Sequence, residues 1–475
     1  MNRLARSVEI LVGVMIVVVL SVILFVTFGN APETTQLSPM VEPSPVAATA
    51  YPVVESLPAK PYPSPLEPAP TSESSYPPLD ATPVARPSLP VCDFTESSPD
   101  PAGISGKIID RFGAPQLVQA SVTGIRGWID DQHMLVMYEQ HSVSENSLFK
   151  NSFYELNLAT GEMRTYVNQG TGILNHPVWI TSTRAIAYFS TTMIDTDDSQ
   201  MDRFRADLLV TFVDSEQTIL VASDVIPTLA LAPDSQRLWY FLRTDPLQPY
   251  IYDVQLNTSQ PAPFHLSSFL SPKPDLEWII HSDPPLFKLA WHPDGVQLLI
   301  YSQYWTLLLN HQTGHVCEVE LIDSENYKPE IINLPPWPVS VQWSPDGNYL
   351  AIMLTTHFRL STLHTDLMVL NFATNERYTL SLGDLVPPYY QRRIIDLTWS
   401  PDSRYIAVLA LVNRPNSYEP ATGLFVVEAV TGASTRILPD YLFGPTWGDQ
   451  LAWHPTSEWL AVADWDGLSL IPVYP

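Results

Sequence analysis

The strongest constraint in this chain is a turn that keeps returning. Ala290-Trp291-His292-Pro293-Asp294-Gly295, Gln342-Trp343-Ser344-Pro345-Asp346-Gly347, Thr398-Trp399-Ser400-Pro401-Asp402-Ser403 and Ala452-Trp453-His454-Pro455-Thr456-Ser457 are four copies of one sentence. Each is followed by an apolar run, such as Leu298 to Tyr301 or Tyr349 to Met353. Weaker copies lie upstream at Trp128, Trp179 and Leu231, so the anchors at 128, 179, 231, 291, 343, 399 and 453 are 51, 52, 60, 52, 56 and 54 residues apart. A period in this range means a single fold built from repeated supersecondary units, not two or three unrelated domains.

Within a unit the pattern is that of strands. The anchor strand ends at Trp. The Pro-Asp-Gly that follows supplies a fixed φ, a side-chain acceptor and a residue tolerant of left-handed backbone, which together make a tight turn. The second strand is continuously apolar, as a strand buried on both faces must be. A third strand such as Leu367 to Phe372 turns through Ala-Thr-Asn into a fourth, Arg377 to Leu382. Four short antiparallel strands per unit, with no helical period between them, is the sequence form of a propeller blade. The Trp-Ser-Pro-Asp-Gly turn followed by Tyr-Leu-Ala-Ile resembles the repeat of TolB-type, WD-repeat-like β-propellers over residues 104–475. The resemblance implies an all-β ring of about seven four-stranded blades. Because the first copies replace the Pro-Asp turn by Ile129-Asp130-Asp131 and Ile180-Thr181-Ser182, the blade number stays open between six and eight. The last unit ends before a fourth strand, and residues 106–112 are expected to supply that strand from the other terminus.

Ahead of the repeats, residues 10–28 are an uncharged apolar run long enough to cross a bilayer as one helix. The exit Thr27-Phe28-Gly29 is a poor cleavage site, which favours an uncleaved signal anchor over a cleaved signal peptide. Arg3 and Arg6 precede the run and no Lys or Arg follows until Lys60, so residues 1–9 are expected in the cytoplasm and the remainder outside a plasma membrane. Residues 29–91, rich in Pro, Ser and Thr, read as a disordered, partly polyproline linker. Residues 92–475 then form the propeller. Cys92 and Cys317 fall in the oxidising space, where pairing is permitted. Alternation along His315 to Leu321 puts Cys317 on the apolar face with Val319, so a buried thiol is the simpler reading and a disulfide the alternative.

The formal charge of −26 repels nucleic acid and anionic lipid headgroups. No nucleophile elbow, zincin motif or phosphate loop is found, so neither an enzyme nor a cofactor is expected. Trp128, Trp179, Trp291, Trp343, Trp399 and Trp453, with Asp294, Asp346 and Asp402, recur once per unit and read as packing and turn residues. His292 and His454 stand where sister units carry Ser, which makes them turn residues as well. His311 and His315 flank a hairpin, and Asp195, Asp197, Asp198 and Asp202 lack the fixed spacing of a calcium loop. The unexplained aromatics cluster in loops predicted to share one face: Trp278, Trp337, Tyr389, Tyr390 and Trp447 between blades, and Trp305 and Trp465 after second strands. They form either a ligand-binding rim or wedges already buried between blades. The first reading gives a protein- or glycan-binding, scaffolding module. The alternatives are an exported hydrolase or lyase using carboxylates at the channel mouth, and a structural component of a cell-envelope complex.

Overall fold

The computed structural model describes residues 91–99, 106–120, 122–140, 150–171, 177–194, 203–268, 287–302, 305–321, 337–359, 362–383, 393–414, 416–417, 420–444 and 450–474. Residues 1–90, with the expected membrane span at 10–28 and the linker at 29–91 up to its last residue, lie outside them. Among the described residues, no helix is long and apolar enough to cross a membrane.

Nearly every described element is a strand. Blade 1 is Gly124–Trp128, His133–Gln140, Lys150–Asn157 and Met163–Thr171, paired in that order. Blade 2 comprises Val178–Ile180, Ala185–Ile194, Arg203–Phe212 and the first half of Gln217–Leu231; the second half of that long strand opens blade 3, which continues through Arg237–Leu242, Asp245–Asp253 and Thr258–Pro261. Blade 4 is Phe287–Trp291, Gln297–Ser302, Thr306–Asn310 and Val316–Val319. Blade 5 is Trp337–Trp343, Tyr349–Arg359, Thr362–Asn371 and Glu376–Leu380. Blade 6 is Ile394–Trp399, Tyr405–Asn413, Pro420–Glu428 and Ser434–Ile437. Blade 7 has three strands of its own, Leu451–Trp453, Trp459–Asp464 and Gly467–Pro472.

The first strand of each blade touches the first strand of the next, and blade 7 touches blade 1, so the seven sheets close into a ring. Packing follows from this geometry. Among the described residues seven buried apolar clusters are present, one at each junction between neighbouring blades. A second strand such as Tyr405–Asn413, with eight of its nine residues buried, is covered on both faces. The fold is an all-β propeller.

Closure uses the opposite terminus, but not the expected segment. The fourth strand of blade 7 is Gln116–Gln119, antiparallel to Gly467–Pro472 with Leu468 facing Gln119. Gly106–Arg111 is instead a short 3-10 helix. Ile108 from this helix and Phe112 just after it plug the cluster between blades 6 and 7, and Phe112 makes a single antiparallel bridge to Val473. Gly467, at φ 126°, lies so close to the closing strand that an added Cβ would stand 2.3 Å from the Gln119 carbonyl oxygen.

The residues before this strand form a belt along the outer edge. Val91–Cys92 pairs in parallel with Val316–Val319 of blade 4, and Thr95–Glu96 pairs in parallel with Glu376–Leu380 of blade 5. Pro99 then reaches Gly432 of blade 6. The belt corrects the reading of Cys317 as a buried thiol, because it carries Cys92 alongside and the two form a disulfide with Cα atoms 5.6 Å apart. Spanning 225 residues of sequence, such a bond stabilises by about 5 kcal/mol in a chain-entropy description.

Starting the chain at Val122 removes both belt and closing strand and leaves the Gly467–Pro472 edge unpaired. The truncated protein is expected to elute as aggregates in gel filtration. A monodisperse product with the melting midpoint of the full chain would contradict this account of closure.

Candidate functional site

Each sheet has two ends, and they are built differently. One end carries the first-to-second and third-to-fourth turns, which are short and tied down. Asp294 accepts from the amides of Val296 and Gln297 at 2.7 and 3.0 Å, and Asp346 from that of Asn348 at 3.0 Å. Asp402 accepts from the Arg404 amide at 3.1 Å, and Asp130 of blade 1 from those of Gln132 and His133 at 2.8 and 2.9 Å. The degenerate first copy therefore makes the same turn without proline. Asn157, Asn310 and Asn371 cap the third-to-fourth turns in the same manner.

Neighbouring turns are also joined. His292 Nε2 donates to the Gly347 carbonyl at 2.9 Å, and His454 Nε2 to that of Asp131 at 3.0 Å, across the junction that closes the ring. The Asp346 amide donates to Ser403 Oγ at 3.0 Å. His311 Nε2 donates to the Gly295 carbonyl at 3.0 Å. Among the described residues no group of three or more His, Cys, Asp or Glu is placed to hold a metal ion. The acidic run at 195–202 lies outside them.

The anchor tryptophans sit at the blade junctions. Trp291, Trp399 and Trp453 are buried, and Trp128, Trp179 and Trp343 half-buried. Trp399 Nε1 donates to the Gln342 carbonyl of the preceding blade at 3.0 Å, and Trp343 Nε1 to that of Ala290 at 3.4 Å. Trp343 and Trp128 receive the turn histidines of the preceding blades edge-on, at 4.5 and 4.4 Å between centroids.

The opposite end holds the second-to-third loops and the blade-to-blade connections, where the rim was expected. Trp278, Tyr389, Tyr390 and Trp447 lie outside the described residues, and Trp337 is placed only as the first backbone position of blade 5. Trp305 is not a rim residue: it is 6 % exposed and belongs to the cluster between blades 3 and 4. Its loop is cinched by the Ser302 amide donating to the Trp305 carbonyl at 2.8 Å, which turns the ring inward. Trp465, by contrast, is 72 % exposed.

Around Trp465 the structure assembles a group that the sequence pattern only partly showed. Asp464 ends the second strand of blade 7 and accepts from the amides of Gly444 at 3.2 Å and Asp466 at 2.9 Å. That bond draws the connection from blade 6 against Trp465 and brings Tyr441, 38 % exposed, into the electrostatic reach of Asp464 and Asp466. Tyr441 packs on the buried Phe443 at 4.8 Å between centroids. Burial and the neighbouring Asp466 charge push the Asp464 carboxyl above the ordinary carboxylate range, against the pull of its amide donors. Two exposed aromatic rings and the exposed Asp466 carboxylate thus lie over the buried carboxyl of Asp464. Tyr441 was missed because nothing in Pro-Asp-Tyr-Leu-Phe-Gly marks it until the Gly444–Asp464 bond is seen.

No protein-family model matches the chain, and no curated protein does. Solved structures do. A GH74 xyloglucanase from Xanthomonas campestris superposes with a TM-score of 0.51 at 10% identity, over 75% of this chain and 53% of that one. An oligogalacturonate lyase from Vibrio parahaemolyticus gives 0.46 at 12% over 76% and 96%, and the β-propeller domain of the Trilobed protease from Pyrococcus furiosus 0.43 at 12% over 74% and 94%. At such identities a likeness bears on fold alone.

Two measurements test this division of the molecule. Trp305→Ala should cost about 3–5 kcal/mol in urea unfolding, as deleting a buried ring does, whereas Trp465→Ala should stay within about 0.5 kcal/mol of the parent; equal losses would refute the contrast. The second concerns acid. Burial raises the carboxyls of Asp130, Asp294 and Asp346, but hydrogen bonds outweigh it and hold all three below the ordinary value, led by turn amides at Asp130 and Asp294 and by the Ser344 hydroxyl, then the Asn348 amide, at Asp346. Groups depressed in the folded state stabilise above about pH 4 and lose that contribution as pH falls through their folded values. The urea midpoint should therefore drop between about pH 5 and pH 3. In the Asp294→Asn, Asp346→Asn double variant it should start lower at pH 7 and fall less; an unchanged slope would exclude the turns as the source.

Proposed function

We propose that this propeller is a displayed binding module, held to a plasma membrane by residues 10–28 and taking a glycan or a protein segment against Trp465 and Tyr441. The carrying observation is Trp465, a large ring left 72 % exposed beside two carboxylates in a molecule that buries or half-buries its anchor tryptophans. A flat exposed ring gives a stacking surface for a sugar face or a proline ring, and the exposed Asp466 carboxylate beside it accepts from hydroxyls or cationic side chains. The TolB-type repeat, the uncharged run at 10–28 and the charge asymmetry around it support placement outside the cytoplasm. The Cys92–Cys317 disulfide is also at home in an oxidising compartment.

A catalytic reading has one observation in its favour, the raised carboxyl of Asp464 next to Asp466. Against it, both Asp464 oxygens already accept from backbone amides, so the group fastens a loop.

The test is capture from envelope extract and on a glycan array with residues 83–475, wild type and Trp465→Ala in parallel. Retention by the wild type and loss by an equally stable variant would place the binding surface. Equal retention by both would remove Trp465 from the site, and turnover of a captured glycan would favour the catalytic reading.

A further inference from the structure

Six of the seven junctions between blades are filled by one recipe, and one is not. Two residues before the end of its third strand, each blade aims a side chain at the following blade. In blades 2 to 7 this residue is Val210, Ile251, Leu308, Val369, Val426 or Leu470, every one buried in the cluster it shares with the next blade. In blade 1 it is Glu155. The next residue along the strand faces the preceding blade. In six blades it is Leu156, Tyr252, Leu309, Leu370, Val427 or Ile471, again buried in the shared cluster. In blade 2 it is Thr211. Both departures fall on the two walls of the same seam. Among the described residues the cluster there holds five buried apolar residues, where the other six hold ten to sixteen.

Beside this polar seam lies a cavity of about 400 Å³, open to solvent and lined by Arg164, Tyr166, Tyr188, Thr211, Glu216 and Thr218 among others. A chain of hydroxyls runs from its floor to its rim: buried Thr211 Oγ1 lies 3.3 Å from the buried Tyr188 hydroxyl and 2.8 Å from Oγ1 of the exposed Thr218. The wall is prevented from collapsing inward. Tyr166 stacks on Trp179 at 5.8 Å with planes 9° apart, and its hydroxyl donates to Glu155 Oε2 at 2.5 Å. Glu155 is only 12 % exposed, so a carboxylate has been placed in a packed seam to hold one ring in position. Arg164 and Glu216, opposite in charge, stand exposed at the mouth.

We propose that the seam between blades 1 and 2 is a binding site for a small, neutral, hydroxyl-rich ligand of monosaccharide size. The volume lies in the range of ligand pockets. Hydroxyls that both donate and accept match a ligand of the same kind. A guanidinium and a carboxylate across the mouth suit paired hydroxyls and leave no net charge to favour an ion. The site lies at the turn end of the sheets, since Thr211 and Glu216 flank the third-to-fourth turn of blade 2, so it is separate from the surface around Trp465. Burying polar groups at a junction costs stability relative to apolar packing, and a cost borne at one junction of seven, on both walls, marks a site where binding took precedence over packing.

The experiment uses the full chain in detergent, with saturation-transfer NMR against D-glucose, D-galactose and N-acetyl-D-glucosamine, and L-alanine as a zwitterionic control. At least one sugar should show transfer and L-alanine none. Thr211→Leu, which installs a sister-blade residue and fills the floor, should weaken that sugar roughly 10- to 100-fold with no fall in the urea midpoint. Glu155→Leu should weaken it as well and raise the midpoint, while Trp465→Ala leaves it unchanged. Transfer to none of the three sugars, to L-alanine alone, or undiminished transfer in Thr211→Leu would overturn the assignment. A lowered midpoint in both leucine variants would overturn it too, because it would show that the polar pair serves packing.

Discussion

Everything in this molecule depends on the seventh sheet meeting the first. A stack of sheets buries its inner members and leaves two outer faces and an unpaired edge exposed, an arrangement that invites association with other chains. Closing the ring removes both faces at once. Here the junction is made by residues more than three hundred positions apart. Gln116–Gln119 completes blade 7, the Gln450 side-chain amide donates to the Thr123 carbonyl at 3.3 Å, and His454 bonds Asp131 while meeting Trp128 edge-on. Asp396 of blade 6 adds a further restraint by accepting from the amides of Gln450 and Leu451, at 2.5 and 2.8 Å, as the last blade begins. None of these bonds is strong alone. Together they fix the register at the one junction that no short connection can hold.

The belt extends the same logic to the outer edge. Residues 91–99 and 106–119 pass blades 4, 5, 6 and 7 in turn, and the disulfide pins the start of this path to blade 4. The loop closed by Cys92 and Cys317 contains blades 1, 2 and 3 and nearly all of blade 4. Blades 1 to 3 are also the copies with the most eroded turns. Blade 2 lacks both proline and glycine at its first turn and places Arg184 in left-handed backbone at φ 48°. The covalent constraint therefore encloses the part of the ring whose local turn signals are weakest.

Most of this architecture was legible in the sequence because it rests on local chemistry repeated several times. Trp-Ser-Pro-Asp-Gly specifies an Asx-capped turn wherever it stands, and the apolar run after it specifies a strand buried on both faces. The spacing of the anchors then points to about seven blades, and the ring of sheets fixes the number that the eroded first turns left open. What was not legible is what depends on partners remote in sequence. The choice of Gln116–Gln119 over residues 106–112 is decided by the close approach at Gly467, and the disulfide by two parallel residue pairs between Val91–Cys92 and blade 4. Trp305 looks like Trp465 in the sequence, since both follow second strands. Their places in the hairpin separate them: Trp305 closes its turn opposite Ser302, whereas Trp465 stands inside the turn between the paired Asp464 and Gly467.

Repetition also gives the sequence a second use. Once the strand register aligns the seven blades, each position carries its own set of six controls, and a departure is judged against packing demands in the same molecule. Phe-Tyr-Glu-Leu-Asn in blade 1 and Leu-Met-Val-Leu-Asn in blade 5 are the same strand, differing most sharply in Glu155 against Val369. A charged residue at a junction position is tolerable only if something compensates it, and Glu155 has Tyr166. That compensation explains how the seam survives, not why it is polar. The matching change at Thr211 on the facing wall is not needed to satisfy Glu155, whose bond runs to its own blade. Two independent polar replacements at one seam, Thr211 lining the cavity and Glu155 holding its wall residue Tyr166, are therefore better accounted for by a demand placed on the cavity than by drift at either wall.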